Sequence, residues 1–426
     1  MRDLGLLVIV LSLCGMALAR PWLGVLGLAV LGFMQPQGYA VGFMREAPVY
    51  LILFAVTVLS LAYHGWRDRD RFALPWRRLL AWQVWGLLAL WLWFAVTSHF
   101  GALPWEAWEK YPQVLKILPP LLLTLWLIDT REKLLYLVAT LALCILLPAL
   151  KGGYWAVMSG FQDRVYGPPG SPWYENNAFA VAVSMAIPLL VLWWRQTRER
   201  LTRLLLLGGI VLCFGSALSS WSRGGMLALA AVTLLLVWHS KRKLLVLPLL
   251  LLMGAAFFVQ LPEQWFGRME TLTAYQADAS AQSRLAVWRI GLDAASRDPI
   301  TGAGFNAWPV LTLGTGGSLD WHSTYVEMLA EHGFVGLGLW VVLFLGTLGG
   351  LGVLAWRHGR GESAWIGDYA AMLQAAMVAY AVGGITLGIA YWAMPYHLLV
   401  IAVILAGLAP QEVRRASGGN RREARV

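Results

Sequence analysis

The chain reads as an all-α, polytopic integral membrane protein, with about twelve transmembrane helices and one large periplasmic loop. Three observations predict this. Of 426 residues, 59% are hydrophobic and only 13% charged, against roughly 45–50% and about 25% in soluble proteins. The apolar residues fall into runs close to the ~20 residues a helix needs to cross hydrocarbon. Arginine and lysine gather in alternate connections between those runs, the signature of cytoplasmic loops. With a mean hydropathy of +0.62, a soluble enzyme, a disordered chain and a fibrous repeat are excluded.

The runs lie at about 4–34, 48–64, 79–97, 113–128, 134–150, 177–194, 202–218, 225–239, 244–260, 334–356, 366–389 and 392–409. The first is broken by Arg20-Pro21-Trp22 and reads as one kinked span or two short ones, so thirteen spans is the alternative. The start also mimics a signal peptide, with Arg2, an apolar run and Ala17-Leu18-Ala19, but Asp3 spoils the basic region. Cleavage would in any case leave the other runs unexplained.

Net charge is +10. Twenty-one of the 33 basic residues sit in the alternate segments 65–78, 129–133, 195–203, 239–243, 356–365 and the tail. The positive-inside rule makes that face cytoplasmic, with the C-terminus on it. Charge spread over short loops, rather than gathered in one domain, excludes nucleic acid as partner; membrane lipids are expected instead. The resulting organisation is transmembrane helices 1–10 over residues 1–260, with a periplasmic loop at 151–176. A large periplasmic, catalytic loop follows at 261–333, then helices 11–12 at 334–409 and a basic cytoplasmic tail at 410–426.

The 73-residue loop 261–333 is too long for a connector, and loops of this size are usually functional. From Arg284, the spacing of Leu285, Trp288 and Leu292 predicts an amphipathic helix on the membrane surface. Thr324-x-x-Glu327 has capping-box spacing and predicts a helix start, and Gly333 and Gly336 mark the turn into the next span. Cys14, Cys144 and Cys213 all lie in apolar runs without a C-x-x-C, so neither a disulfide framework nor a zinc site is indicated.

No phosphate-binding glycine loop, dinucleotide fingerprint or His-Glu-x-x-His is present. Asp68-Arg69-Asp70 has Asp-x-Asp spacing but sits in an arginine-rich cytoplasmic loop, where a solvated charged turn explains it. Among the basic residues outside the cytoplasmic clusters, Arg223, Arg284, Arg164 and Lys151 stand out on the expected outer face. A cation held near a membrane is costly and usually has a partner or a task. The arginine fork suits phosphate oxygens; the bland reading is snorkelling to the interface.

Of the histidines, His64, His239 and His358 end spans, His99 begins a loop, and His397 reads as a polar interface residue. His322 and His332 lie in the large loop. An imidazole can serve as general base at neutral pH, and His322 shares its face with Arg223 and Arg284. No metal-ligand cluster or cofactor motif is visible. Cations would therefore carry the charge stabilisation, and the energy must reside in an activated, lipid-borne donor.

His322-Ser323 followed after nine residues by Gly333-Phe334-Val335-Gly336 resembles the motif of bacterial O-antigen ligases. Ser222-Arg223-Gly224-Gly225 resembles the Ser-Arg-Gly element shared by O-antigen ligases and polymerases. Arg284-x3-Trp288 followed by Pro299-x2-Gly302-x-Gly304 matches the next stretch of that superfamily. The likeness covers essentially the whole chain. A narrower one, through Arg20-Pro21-Trp22, Lys151-Gly152-Gly153 and Arg164 to Gly170 and on to Asn176-Asn177, is to O-glycosylation ligases found beside exosortase systems. There the stretch after Met34 usually reads Asn-Pro-His, where this chain has Gln35-Pro36-Gln37.

The resemblance implies an inner-membrane, metal-independent, inverting glycosyltransferase with no cofactor. A glycan on undecaprenyl diphosphate would be transferred to a sugar hydroxyl of lipid A–core at the periplasmic face. His322 would be the base, Arg223 and Arg284 the diphosphate ligands, and Arg164, Lys151 and Asn177 further donor contacts. Rivals with the same donor are an O-antigen polymerase and a protein O-oligosaccharyltransferase. A rival of another class is a transporter or lipid flippase, which predicts paired half-repeats; no repeat is visible.

Overall fold

The computed structural model describes residues 2–101, 103–270, 279–313, 320–361 and 363–423; for 268, 270, 279–281 and 411–423 only the backbone is described. Among the described residues the regular elements are all helical. In order they are α1 (Arg2–Ala19), α2 (Pro21–Met34), α3 (Val49–Arg67), α4 (Trp76–Leu79), α5 (Trp82–Phe100) and α6 (Pro104–Leu115). Next come α7 (Leu118–Leu127), α8 (Arg131–Met158), α9 (Asn176–Gln196), α10 (Arg200–Leu218), α11 (Arg223–Trp238) and α12 (Lys243–Phe258). The remainder are α13 (Glu263–Glu270), α14 (Ala279–Arg297), α15 (Trp308–Leu311), α16 (Thr324–Arg357), α17 (Ala364–Gly383) and α18 (Ala393–Glu423).

Among the described residues, seven helices are long and apolar enough to cross a membrane: α1, α3, α8, α9, α10, α16 and α18. Three more apolar helices, α2, α11 and α12, are shorter. The run 4–34 is two helices. Pro21 cannot donate to the preceding turn, and α2 begins there with Arg20 extended at its N-cap. α2 folds back along α1: an added Cβ on Gly27 would stand 3.2 Å from Leu13. The run 113–128 is divided between the end of α6 and the ten-residue α7, about 15 Å of helix. The segment 151–158, read as loop, continues α8. The backbone helix of α18 carries on into the basic tail, to Glu423.

The core is built on α9 and α17. Most of α9 is buried, from Ala178 through Leu190, and it packs against α8, α10, α11 and α17. Small residues allow this: an added Cβ on Gly383 of α17 would stand 2.5 Å from Val181 of α9. In a membrane, such backbone approach replaces the hydrophobic effect as the main source of helix–helix attraction. Gly152-Gly153, expected as a turn, is likewise helical. Gly153 lies against the Leu212 backbone of α10, with no room for a side chain.

α16 is two helices joined at Gly333, whose φ of 67° and ψ of −173° are not helical. That region is essentially reserved for glycine, and an added Cβ would also strike the Ile300 carbonyl. The segment after Pro299 fills the kink: Ala303 N donates to Ala330 O (2.8 Å), Gly304 N to Glu331 O (2.9 Å) and Phe334 N to Pro299 O (2.8 Å). The spaced glycines on both sides are thus explained by one docking contact. It sets the nine residues Thr324–His332 at an angle to the long apolar helix that follows.

Candidate active site

The predicted helix from Arg284 forms as α14, and it also packs on protein through Val287, Ala294 and Ala295, which are buried while Leu292 is 50% exposed. That face turns to protein because Gly291 leaves a notch for Trp321 and Val326. Trp288 Nε1 then donates to the Trp321 carbonyl at 3.0 Å. Arg284, one turn before Trp288, is thereby brought to the His322 turn.

That turn is tightly held around its neighbour. Trp321 is fully buried, its indole N–H donates to Glu331 Oε1 (3.1 Å) and its backbone N–H to Asp320 Oδ1 (2.7 Å). His322 follows with φ of 47°, a conformation uncommon for a non-glycine residue. Its ring is half-buried. Burial is the main influence on it and pushes its pKa below the ordinary 6.5. The Asp320 carboxylate opposes that, the Arg284 guanidinium adds to it, and Glu175 again opposes. Burial likewise raises the Asp320 carboxyl, with His322 pulling the other way. The neutral imidazole, which can accept a proton, is the favoured form.

The expected capping box does not form. The N-cap is Ser323, with no side-chain cap bond. Thr324 Oγ1 instead donates to Leu387 O (2.9 Å) and accepts from Ile389 N (3.1 Å), and Glu327 Oε2 accepts from Ala390 N (2.9 Å). Thr324 N donates to Gly384 O (2.8 Å). Individually such bonds are worth on the order of 0.6 kcal/mol in a membrane protein, but together they fasten the His322 turn to the connection 384–392.

The same connection carries the Ser-Arg-Gly element. Thr386 Oγ1 occupies the space where Gly224 would carry a side chain. Ser222 caps α11, its Oγ accepting from Gly225 N at 3.0 Å, which puts half-buried Arg223 at the first helical position. Arg223, Arg284 and His322, far apart in sequence, are therefore tied to one end of the bundle by contiguous contacts.

Of the weaker candidates, Arg164 is exposed, its guanidinium 5.5 Å from the Trp221 ring, and Val165 N donates to Ser219 O (3.0 Å). It borders the Ser-Arg-Gly turn. Lys151 is exposed on α8, beside the Gly152 contact with Ser216. Asn177 is half-buried at the start of α9, but Asn176 is the residue that reaches the turn, donating from Nδ2 to Ser220 O (2.7 Å).

His332 is buried. Its Nδ1 is hydrogen-bonded to Thr97 Oγ1 (2.7 Å) and its Nε2 to Tyr391 OH (2.8 Å), between the rings of Phe94 and Phe305. His397, expected at an interface, is also buried, and its Nδ1 is hydrogen-bonded to Ala393 O.

Sequence reading missed Asp320, Glu175 and the connection 384–392. Asp320 stood two residues from His322 and could have been weighed; the connection offers no charged side chain to notice. Among the described residues no three His, Cys, Asp or Glu side chains gather as a metal site would require.

Another cavity, of about 1100 Å³, lies at the opposite end, among Arg67, Arg71, Arg77 and Asp129. It belongs to the arginine-rich loops rather than to this site. Arg78 at its edge donates to Leu125 O and Ile128 O, a structural use of the charge.

Comparison with known families gives two matches. Residues 1–199 match a family of unknown function, and residues 208–341 match the family described as O-antigen ligase. No curated protein matches the chain. The matched stretch 208–341 contains Arg223, the α14 helix and the His322 turn, and over that stretch the chain is similar to the O-antigen ligase family.

Proposed function

We propose that the chain is an O-antigen ligase of the bacterial inner membrane. It crosses the bilayer twelve or thirteen times, with the His322 end in the periplasm and the C-terminus in the cytoplasm. The donor is a glycan on undecaprenyl diphosphate and the acceptor a sugar hydroxyl of lipid A–core. His322 takes the hydroxyl proton as the oxygen attacks the anomeric carbon. The bond from that carbon to the phosphate oxygen breaks with inversion, and the diphosphate leaves with the electron pair. Arg284 and Arg223 offset the negative charge that grows on it, as fixed cations in a partly desolvated site can. Arg164, Lys151 and Asn177 flank the lipid-linked donor.

The observation that carries this reading is the Trp288–Trp321 bond, which joins the Arg284 helix to the His322 turn. It favours a single reaction centre over a transport path, which would distribute charges along the span. The test is transfer from a lipid-linked glycan by the purified chain. Core lipid, the lipid-linked repeat unit and pilin are compared as acceptors, in Arg284→Ala and Arg223→Ala beside wild type. Transfer to core lipid, with donor KM raised about tenfold or more in each variant, is expected. Wild-type donor KM in both would remove the diphosphate role, and preference for another acceptor would replace ligase by polymerase or protein transferase.

A further inference from the structure

A second cavity, of about 690 Å³, lies at the His322 end, within the ~300–1,000 Å³ of small-molecule sites. It faces the ends of α2, α3 and α18 opposite to those at the arginine-rich cavity: Leu31, Tyr50 and Ala393 line it, whereas Pro21, Arg67 and Gly407 line the other. Three cations, Arg45, Lys110 and Lys116, stand on its wall. Among the described residues none of the three has a carboxylate within ion-pair distance. Gln37 adds a buried carbonyl oxygen without a hydrogen-bond partner. Arg45 is carried on a segment that Asp3 pins, its Oδ1 accepting from Gly42 N (3.0 Å) and Met44 N (3.1 Å). Positive charge concentrated in a concave site, with amide groups beside it, suits an anionic, hydroxyl-rich ligand.

The cavity also reaches the proposed reaction centre. Its inner wall is Gly388, where an added Cβ would stand 3.2 Å from Asp320 Oδ2 and 3.4 Å from Glu327 Oε2. Asp320 is two residues from His322. A ligand here would meet the His322 turn from the Asp320 side, whereas Arg284 arrives on α14. A displacement needs its nucleophile and leaving group on different sides of the reacting carbon, and these two approaches supply them. We propose that this cavity holds the phosphorylated glycan head of the acceptor lipid. Its three cations and most of its wall come from residues 1–199, so this is the role of the portion that matches a family of unknown function. The inference rests on the transferase reading above and assigns its acceptor side.

The test is binding, which needs no turnover. The full chain in phosphatidylcholine nanodiscs is titrated with fluorescent core lipid, phosphorylated or enzymatically dephosphorylated, with inorganic phosphate, and with the undecaprenyl diphosphate-linked glycan. Lys110→Gln/Lys116→Gln and, separately, the exposed Arg45→Gln are compared with wild type. Phosphorylated core lipid should bind the double variant about tenfold more weakly, and dephosphorylated lipid should bind wild type as weakly as that. Binding of the lipid-linked glycan should be unchanged, which also shows each variant to be folded. Equal binding of the two core lipids overturns the proposal, as does weakened binding of the lipid-linked glycan. Inorganic phosphate binding as tightly as the glycolipid overturns it too, since the site would then recognise the free ion. Failed transfer with these binding results intact would count against the transferase reading alone.

Discussion

Two histidines ten residues apart, one in the turn before α16 and one within it, show how differently the same side chain can be used. His332 is sealed between Phe94 and Phe305, with both ring nitrogens hydrogen-bonded to protein. His322 sits half-buried on a left-handed turn among Asp320, Arg284 and Glu175. Among the described residues nothing hydrogen-bonds its ring. An imidazole whose nitrogens are both engaged holds a structure together. One that is left-handed, partly open and surrounded by charges is free to exchange a proton. The environment, rather than the residue type, separates a packing histidine from a chemical one.

Substitution should separate the two by readout. His322→Ala is expected to lower transfer by about 10²–10⁴-fold, the usual worth of a general base, with the thermal midpoint of the detergent-solubilised protein unchanged. Normal turnover by inserted protein would break the contrast. His332→Ala should do the reverse. It opens a void between two aromatic rings and should cost about 2–3 kcal/mol, read as a lower thermal midpoint, with transfer per folded molecule within a few fold of wild type. A dead enzyme with an unchanged midpoint would give His332 a chemical role.

A smaller effect sharpens the electrostatics. Only the neutral His322 ring can accept a proton, so the acid limb of the kcat profile should fall below the ordinary imidazole value of 6.5. Asp320 holds the ring's affinity for protons up, so Asp320→Asn should move that limb to lower pH. Glu175→Gln should do the same less strongly, and Arg284→Gln the opposite. An unmoved or raised limb in Asp320→Asn would show that the carboxylate does not act on His322.

Much of this could be seen in the chain before its coordinates. Helical class, the position of most apolar helices and the three candidate residues that the fold ties to one end of the bundle follow from hydropathy, arginine placement and short motifs, because each depends on local composition. The protein-facing side of α14 could not be read from the spacing of Leu285, Trp288 and Leu292. The actual surface is set by the small Gly291, which matters only when Trp321 is known to fill it. Thr324 and Glu327 have the right spacing for a cap, yet a tertiary partner outcompetes the local bond. The basic cavity was invisible for a related reason. Arg45, Lys110 and Lys116 are single cations in separate loops, and only the fold makes them neighbours.

The connection 384–392 shows what such assembly means for variation. It offers backbone groups to Thr324 and Glu327, a hydroxyl to Gly224's hollow, and in Tyr391 a phenol to Glu331 at 2.6 Å. It contributes backbone path as well as the Thr386 and Tyr391 side chains, so its length matters as much as those residues do. A single inserted residue there would pull the two halves of the proposed reaction centre out of step without altering Arg223, Arg284 or His322.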